Sequence, residues 1–134
     1  MRFLNRFSEP AFLLLRMVAG LAFGFHGLQK IFGVLSEFHP AVGTQIWCGG
    51  IIEIVAGSLI AIGLFTQCAA FVASGTMAVA YTQFHWKLAF GAQFFPGINK
   101  GELALLYSVL FLYIACRGAG PLSLGALRKP KPPT

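Results

Sequence analysis

The chain has 134 residues, of which 57% are apolar and only 10% are charged. A soluble domain carries roughly 25% charged residues, so this sequence has too few charged groups to cover a water-exposed surface. The composition therefore excludes an ordinary soluble fold and indicates a lipid bilayer as the solvent. The formal charge of +6 comes mainly from basic residues in tails and loops and not from one folded basic patch, which argues against a nucleic-acid partner.

Four apolar stretches, each about as long as a membrane-spanning helix, follow one another along the chain. They predict an all-α fold, namely an integral membrane antiparallel four-helix bundle. The first stretch contains Arg16 and lacks a small-residue cleavage pattern, so we interpret it as a retained span and not as a signal peptide. The predicted transmembrane domain covers residues 10–117, with spans at about 10–30, 43–65, 67–86 and 101–116.

The segments outside these spans carry most of the positive charge. An even number of spans places residues 1–9 and 118–134 on the same side of the membrane, and this side collects more Lys and Arg than the other. The positive-inside rule therefore predicts that both termini are cytoplasmic. The closing segment, 118–134, ends in an Arg-Lys-Pro-Lys-Pro-Pro-Thr run, which predicts a solvated basic tail near anionic lipid.

Ionisable side chains also occur inside the spans, where they are costly unless they face the protein interior. Arg16 and Lys30 share one face of the first span, and Glu53 stands near the bilayer midplane between Gly49 and Gly57 of the second. An unpaired charge at the centre of a spanning helix costs about 2.5–3.5 kcal/mol on insertion scales. We therefore predict a structural ion pair between Arg16 and Glu53.

Several polar residues converge at the outer ends of the spans. Such groups in an apolar wall offer proton donors and acceptors to the carbonyl oxygens of a small aromatic molecule, and a quinone fits these requirements as a substrate. In the fourth span, a face formed by Glu102, Leu106, Val109 and Tyr113 is expected to point inward. The candidate ligand-binding residues are His26, Lys30, Glu53, Tyr81, His85 and Glu102.

The pattern leaves other interpretations open. The buried charges also fit simple interhelical contacts, and an isolated His26 or His85 is more often a hydrogen-bonded helix-end residue than a ligand. The sequence has no metal, haem or flavin motif and identifies no catalytic residue, so a redox role requires a partner subunit or a bound substrate. A non-enzymatic membrane scaffold or assembly chaperone, with or without homo-oligomerisation, is the alternative function.

Four short segments resemble a known family in their order and spacing. They are residues 26–33 (HGLQKIFG), 49–66 with its GGIIE and GLFT motifs, 99–104 (NKGELA) and 118–124 (GAGPLSL). Together they resemble the DoxX family of small bacterial membrane proteins over roughly residues 10–125.

This resemblance implies a four-helix protein of the bacterial inner membrane. The family takes its name from the small membrane subunit of a thiosulfate:quinone oxidoreductase, and other members are linked to quinone or thiol stress. Gly125 stands where family members often carry an acid, and His85 lies outside the matching motifs. The resemblance implies functional roles for Arg16, His26, Lys30, Glu53 and Glu102.

Overall fold

The computed structural model describes residues 2–127, and every regular element in that range is helical. Four longer helices are joined by short turns and by two connecting segments, and a π-helix continues the third long helix without a break. The α-helices are α1 (Ser8–Phe32), α2 (Gln45–Ile62), α3 (Thr66–Ala80), α4 (Pro96–Asn99), α5 (Glu102–Arg117) and α6 (Leu124–Leu127). The other elements are the 3₁₀ helices Arg2–Phe7 and Ala92–Phe94 and the π-helix Tyr81–Trp86.

Helices α1 and α2 pack antiparallel with their backbones in contact. A Cβ atom at Gly57 would lie 2.6 Å from the carbonyl oxygen of Gly20, and a Cβ atom at Gly27 would lie 2.5 Å from that of Gly50. Glycines at these levels let the two helices approach more closely than any side chain would permit. We call this contact the glycine seam.

Helices α3 and α5 pack through small side chains, and aromatic rings connect α5 to α1. The hydroxyl of Ser74 on α3 donates a 2.7 Å hydrogen bond to the backbone carbonyl of Ser108 on α5. Phe23 of α1 lies against Tyr107 and Phe111, with ring centroids 5.8 Å and 4.7 Å away. These contacts place the core between all four longer helices.

The predicted inward face of the fourth span is wrong. Leu106, Val109 and Tyr113 are exposed, as is Glu102 at the start of α5. The small residues Ala104 and Ser108 permit a close contact between α5 and α3, so the face that they share with Phe111 and Ile114 points inward instead. The buried residues of α5 are Ala104, Ser108, Phe111 and Ile114.

Two helices in the described part of the chain are long and apolar enough to cross a membrane, Phe3–Phe32 and Gln45–Ile62. Large apolar side chains such as Leu21, Phe71 and Leu106 are more than half exposed. Extensive apolar surface of this kind is typical of lipid or protein contact.

The segment after α5 folds back on the helices and does not extend away from them. The backbone N–H of Gly125 donates to the carbonyl oxygen of Gly63, in the turn between α2 and α3, at 3.0 Å. Residues 118–127 therefore form part of the packed structure, in contrast to the predicted tail over 118–134. The basic run at 128–134 lies outside the described residues.

Candidate functional site

The most buried acid of the described chain is Glu53, which has 1% of its surface exposed. Lys30 Nζ on α1 donates to Glu53 Oε1 on α2 at 2.5 Å, so the pair joins the two helices across the glycine seam. The second carboxylate oxygen, Oε2, is buried and has no hydrogen-bond partner among residues 2–127. A buried acceptor without a donor is costly, so a ligand that donates a hydrogen bond here would remove that cost.

The predicted ion pair between Arg16 and Glu53 is wrong, because Lys30 takes the place of Arg16. Side chains in an α-helix lean toward its N-terminus. In the antiparallel pair, Lys30 therefore leans along α1 toward Glu53, and Glu53 leans along α2 toward Lys30. Arg16 leans away from Glu53, toward the other end of α1, where its Nη2 donates to the carbonyl oxygen of Leu122 at 2.9 Å.

The π-helix brings His85 to the same end of the molecule. Its Nδ1 lies 3.3 Å from the carbonyl oxygen of Asn99. Because a carbonyl oxygen only accepts, Nδ1 carries the hydrogen in this contact, and Nε2 of the neutral ring is then an acceptor. Single π-helical turns occur frequently at functional sites, and this one covers the six residues Tyr81–Trp86.

Two cavities adjoin the Lys30–Glu53 pair, and both are also lined by His85. The larger, which we call the lateral groove, has a volume of about 690 Å³ and lies between α2 and α3. The smaller, which we call the central pocket, has a volume of about 240 Å³ and lies between α1, α3 and α5. The larger volume is within the range of ordinary small-molecule sites.

The walls of the lateral groove are mainly apolar, and its open side runs along the surface of the helices. Phe84 and Val79 are both more than 40% exposed. Gly49 and Gly75 leave open space, because a Cβ atom at either position would meet nothing within 4 Å. The groove is therefore open from the side, between α2 and α3, and Lys30 and Glu53 belong to its lining.

The structure brings together four of the six predicted ligand-binding residues and separates the other two from them. His26, Lys30, Glu53 and His85 line the central pocket, whereas Tyr81 and Glu102 line neither cavity.

The two excluded residues contact neighbouring loops. The Tyr81 hydroxyl donates to the carbonyl oxygen of Phe94 at 3.3 Å. Glu102 is exposed, and its carboxylate lies beside Gly97. Both residues therefore contact these loops and line neither of the cavities beside the ion pair.

Sequence reasoning missed the two other polar residues that line the central pocket, Lys100 and Tyr107. The ring of Tyr107 stacks on Phe111, with centroids 5.3 Å apart, and its edge faces His26 at 6.4 Å. Tyr107 lies one turn from both Ala104 and Phe111, so the small-residue face of α5 was the signal that could have identified it. Within residues 2–127, no group of three or more His, Cys, Asp and Glu residues is arranged to hold a metal ion.

Fold and site together define a small, membrane-associated helical protein with a buried ion pair beside an open groove. The family model of DoxX matches residues 11–86, which is more than half of the chain. This chain belongs to the DoxX family, as its motifs predicted. An uncharacterized protein of Haemophilus influenzae (strain ATCC 51907 / DSM 11121 / KW20 / Rd) is 44% identical over 121 residues, covering 87% of this chain and 90% of the relative. No solved structure matches the chain.

Proposed function

We propose that this DoxX protein is a multi-pass protein of the bacterial inner membrane, with both termini in the cytoplasm. In this arrangement α1, α2, α5 and the continuous helix Thr66–Trp86 cross the bilayer as an antiparallel four-helix bundle. The two long apolar helices and the exposed apolar side chains support this placement. It puts the Lys30–Glu53 pair toward the outer leaflet and Arg16 toward the inner one.

We further propose that the protein binds a quinone-like molecule at the Lys30–Glu53 pair and serves as a subunit or accessory protein of a membrane redox system. The observation that carries this proposal is the buried, unpartnered Oε2 of Glu53 beside the lateral groove. A quinone is lipid-soluble and planar, and it carries polar atoms at its ring. Its apolar body suits the groove, and its polar atoms can reach the ion pair.

The polar atoms at this site favour the reduced form of such a molecule. Glu53 Oε2, as part of a carboxylate paired with Lys30, is a hydrogen-bond acceptor, and so is Nε2 in the His85 tautomer that carries its hydrogen on Nδ1. A quinol presents two hydroxyl donors, whereas a quinone presents only carbonyl acceptors. We therefore expect a quinol to bind more tightly than the corresponding quinone and to orient one hydroxyl toward Glu53.

The roles of the site residues follow from these contacts. Lys30 stabilises the charge of Glu53, His85 and Glu53 accept hydrogen bonds or protons from the ligand, and the apolar groove walls exclude water. The sequence contains no haem, flavin or nicotinamide motif, so we propose that a partner subunit exchanges electrons with the bound molecule.

A binding titration tests this proposal. Purified protein in mild detergent is titrated with a short-chain quinol and its quinone while intrinsic tryptophan fluorescence is recorded. We expect saturable quenching, tighter for the quinol, which is lost in Glu53→Gln. The matched control is Glu102→Gln, because Glu102 lies at the same end of the molecule but outside both cavities. Equal titration curves for wild type and Glu53→Gln would overturn the proposal.

The alternative function, a scaffold or assembly chaperone, requires a surface that recruits another membrane protein, and helix faces rich in glycine are one such surface. In the structure the glycines at positions 20, 27, 50 and 57 pack against each other or against the neighbouring helix within the chain. These four glycines are therefore already in contact within the chain, whereas Gly49 and Gly75 are open. A pull-down that finds one stoichiometric partner, together with a flat quinol titration, would favour the alternative.

A further inference from the structure

A second buried charge lies at the opposite end of the helices from Glu53. Arg16 has 1% of its surface exposed, and only its Nη2 has an acceptor, the carbonyl oxygen of Leu122. Its Nε and Nη1 have no hydrogen-bond partner among residues 2–127. These two nitrogens carry three of the five N–H hydrogens of a guanidinium. A buried cation in this state lacks the anionic partner that would offset its desolvation.

The acids of this chain do not supply that partner. Glu9, the one acid at the Arg16 end, is engaged by Arg117, whose Nη2 donates to Glu9 Oε1 at 2.5 Å. The sequence of residues 128–134 contains no Asp or Glu. The other three acids lie toward the opposite ends of the helices and are Glu37, Glu53 and Glu102.

The surroundings of Arg16 hold it in a fixed position. Gly63, at φ 76°, ends α2 directly beside the guanidinium, and a Cβ atom there would overlap Nη1. Gly125 bonds to the carbonyl oxygen of Gly63, so the segment 118–127 closes over the turn and presents the Leu122 carbonyl to Arg16. The guanidinium is thus oriented by backbone groups on two sides, while its buried Nε and Nη1 have no acceptor among residues 2–127.

A groove of about 610 Å³ opens beside this guanidinium between α1, α2 and the segment 118–127. We call it the Arg16 groove. Its walls are aliphatic and largely exposed, so its open side faces the medium around the helices. The exposed wall residues are Met17, Leu21, Ile62, Leu122, Leu124 and Leu127. One cation at the base of an aliphatic groove matches an amphiphile with an anionic head.

We propose that the Arg16 groove binds an acidic phospholipid of the inner leaflet, with the phosphodiester on Arg16 and an acyl chain along the aliphatic wall. Charge-assisted hydrogen bonds from Arg to phosphate oxygens are strong, and the surrounding bilayer supplies this anion at high local concentration. The inference rests on the proposed membrane placement but not on the quinol site. A failed quinol titration leaves it intact, and a failed lipid titration leaves the quinol site intact.

Lipid titration with a matched pair of variants tests the proposal. Delipidated protein in mild detergent is titrated with dioleoylphosphatidylglycerol, dioleoylphosphatidylcholine, oleate or inorganic phosphate. Thermal unfolding and native mass spectrometry are recorded for each. We expect a saturable rise in Tm and one retained phosphatidylglycerol in wild type and in Arg6→Gln, and neither effect in Arg16→Gln. Arg6 is the control because it is an exposed arginine at the same end of the molecule, and its removal leaves the Arg117–Glu9 pair in place.

Several results would overturn the proposal. They are equal Tm shifts with the two phospholipids, retained lipid binding in Arg16→Gln, or saturation by oleate or inorganic phosphate but not by phosphatidylglycerol. The last two ligands would show that Arg16 takes a free carboxylate or a free phosphate and not a lipid head group.

A second variant tests lipid binding at Arg16 if Arg16→Gln does not fold. Leu13 lines the Arg16 groove one helical turn before Arg16, so Leu13→Glu supplies a carboxylate at i, i+3 spacing. We expect this variant to fold, to unfold at a higher temperature than delipidated wild type, and to lose phosphatidylglycerol binding. Undiminished binding of phosphatidylglycerol by Leu13→Glu would overturn the proposal.

Discussion

The two sides of α2 use glycine in opposite ways. On the side that faces α1, Gly50 and Gly57 meet the backbone or side chains of α1, and no side chain fits between the two helices at Gly57. On the side that faces α3, Gly49 meets nothing, and neither does Gly75 on α3 itself. One side is a seam of backbone contact, and the other is a groove of about 690 Å³.

The difference shows that the structural effect of a glycine in these helices depends on the residues that lie opposite it. Gly20 and Gly27 of α1 lie opposite the seam glycines of α2, so the backbones meet. The lateral groove lies at the end of α2 and α3 that is distant from their connecting turn at 63–65. There the missing side chains leave volume, and Glu53 is one of the residues that line it.

Gly57→Leu should have the largest effect, because it inserts a side chain where a Cβ atom alone would lie 2.6 Å from the backbone of α1. Overpacking a well-packed contact costs about 1–3 kcal/mol even when side chains can adjust, and here the obstacle is backbone. We expect loss of folded protein, measured by size-exclusion chromatography and thermal unfolding in detergent. Gly49→Leu on the same helix is the control and should remain folded. Equal behaviour of the two variants would contradict the distinction between seam and groove.

Lys30→Met should have the next largest effect, because it leaves Glu53 as a buried carboxylate without a cation. Breaking a buried ion pair by removing one partner typically costs about 3–5 kcal/mol, whereas replacing both partners with apolar residues costs much less. We therefore expect Lys30→Met to destabilise strongly and the double variant Lys30→Met, Glu53→Leu to recover most of the loss. A double-mutant cycle of unfolding free energies measures the coupling. If the losses of unfolding free energy in the two single variants add up in the double variant, the ion pair does not stabilise the contact between α1 and α2.

Ser74→Ala tests a contact that belongs to neither side of α2. The Ser74 hydroxyl joins α3 to α5 through the carbonyl of Ser108, and interhelical hydrogen bonds of this kind contribute about 0.6 kcal/mol in a membrane protein. Ser58→Ala is the control, because the Ser58 hydroxyl bonds only to Ile54 of its own helix. We expect a small loss of unfolding free energy for Ser74→Ala alone. A loss above about 2 kcal/mol would mean that α3 and α5 depend on this bond and not on their small-residue packing.

Sequence predicted the elements well because apolar stretches of span length are a strong signal. Each predicted stretch coincides with one of the longer helices, and the face of α1 that holds Arg16 and Phe23 is buried as its helical spacing indicated. The apolar pattern did not indicate in which direction along the helix axis each side chain leans. The predicted pair of Arg16 and Glu53 rested on their depth alone. Because side chains lean toward the N-terminus of their helix, Lys30 and Glu53 lean toward each other and form the ion pair.

The remaining errors in the site have local causes. Placing both Tyr81 and His85 at the ligand assumed α-helical periodicity, but the helix becomes a π-helix at Tyr81 and the faces shift from there on. Lys100 reaches the central pocket from a turn with φ 58°, which no helical periodicity describes. Glu102 is the first residue of α5. Its predicted depth in the membrane did not indicate the direction of its side chain.

Gly75→Leu should have the smallest effect on stability and a large one on binding. No atom lies within 4 Å of a Cβ at Gly75, and replacing a helix-interior glycine removes a conformational penalty of about 0.5–1 kcal/mol. Unfolding should therefore occur at the same temperature as in wild type or slightly above it. The leucine side chain projects into the lateral groove, so quinol quenching should be lost, whereas Ala78→Leu on the exposed side of α3 should bind normally. A Gly75→Leu protein that is destabilised would show that the groove is closed in the membrane. A Gly75→Leu protein that is stable and still binds quinol would show that the quinol does not bind in the lateral groove.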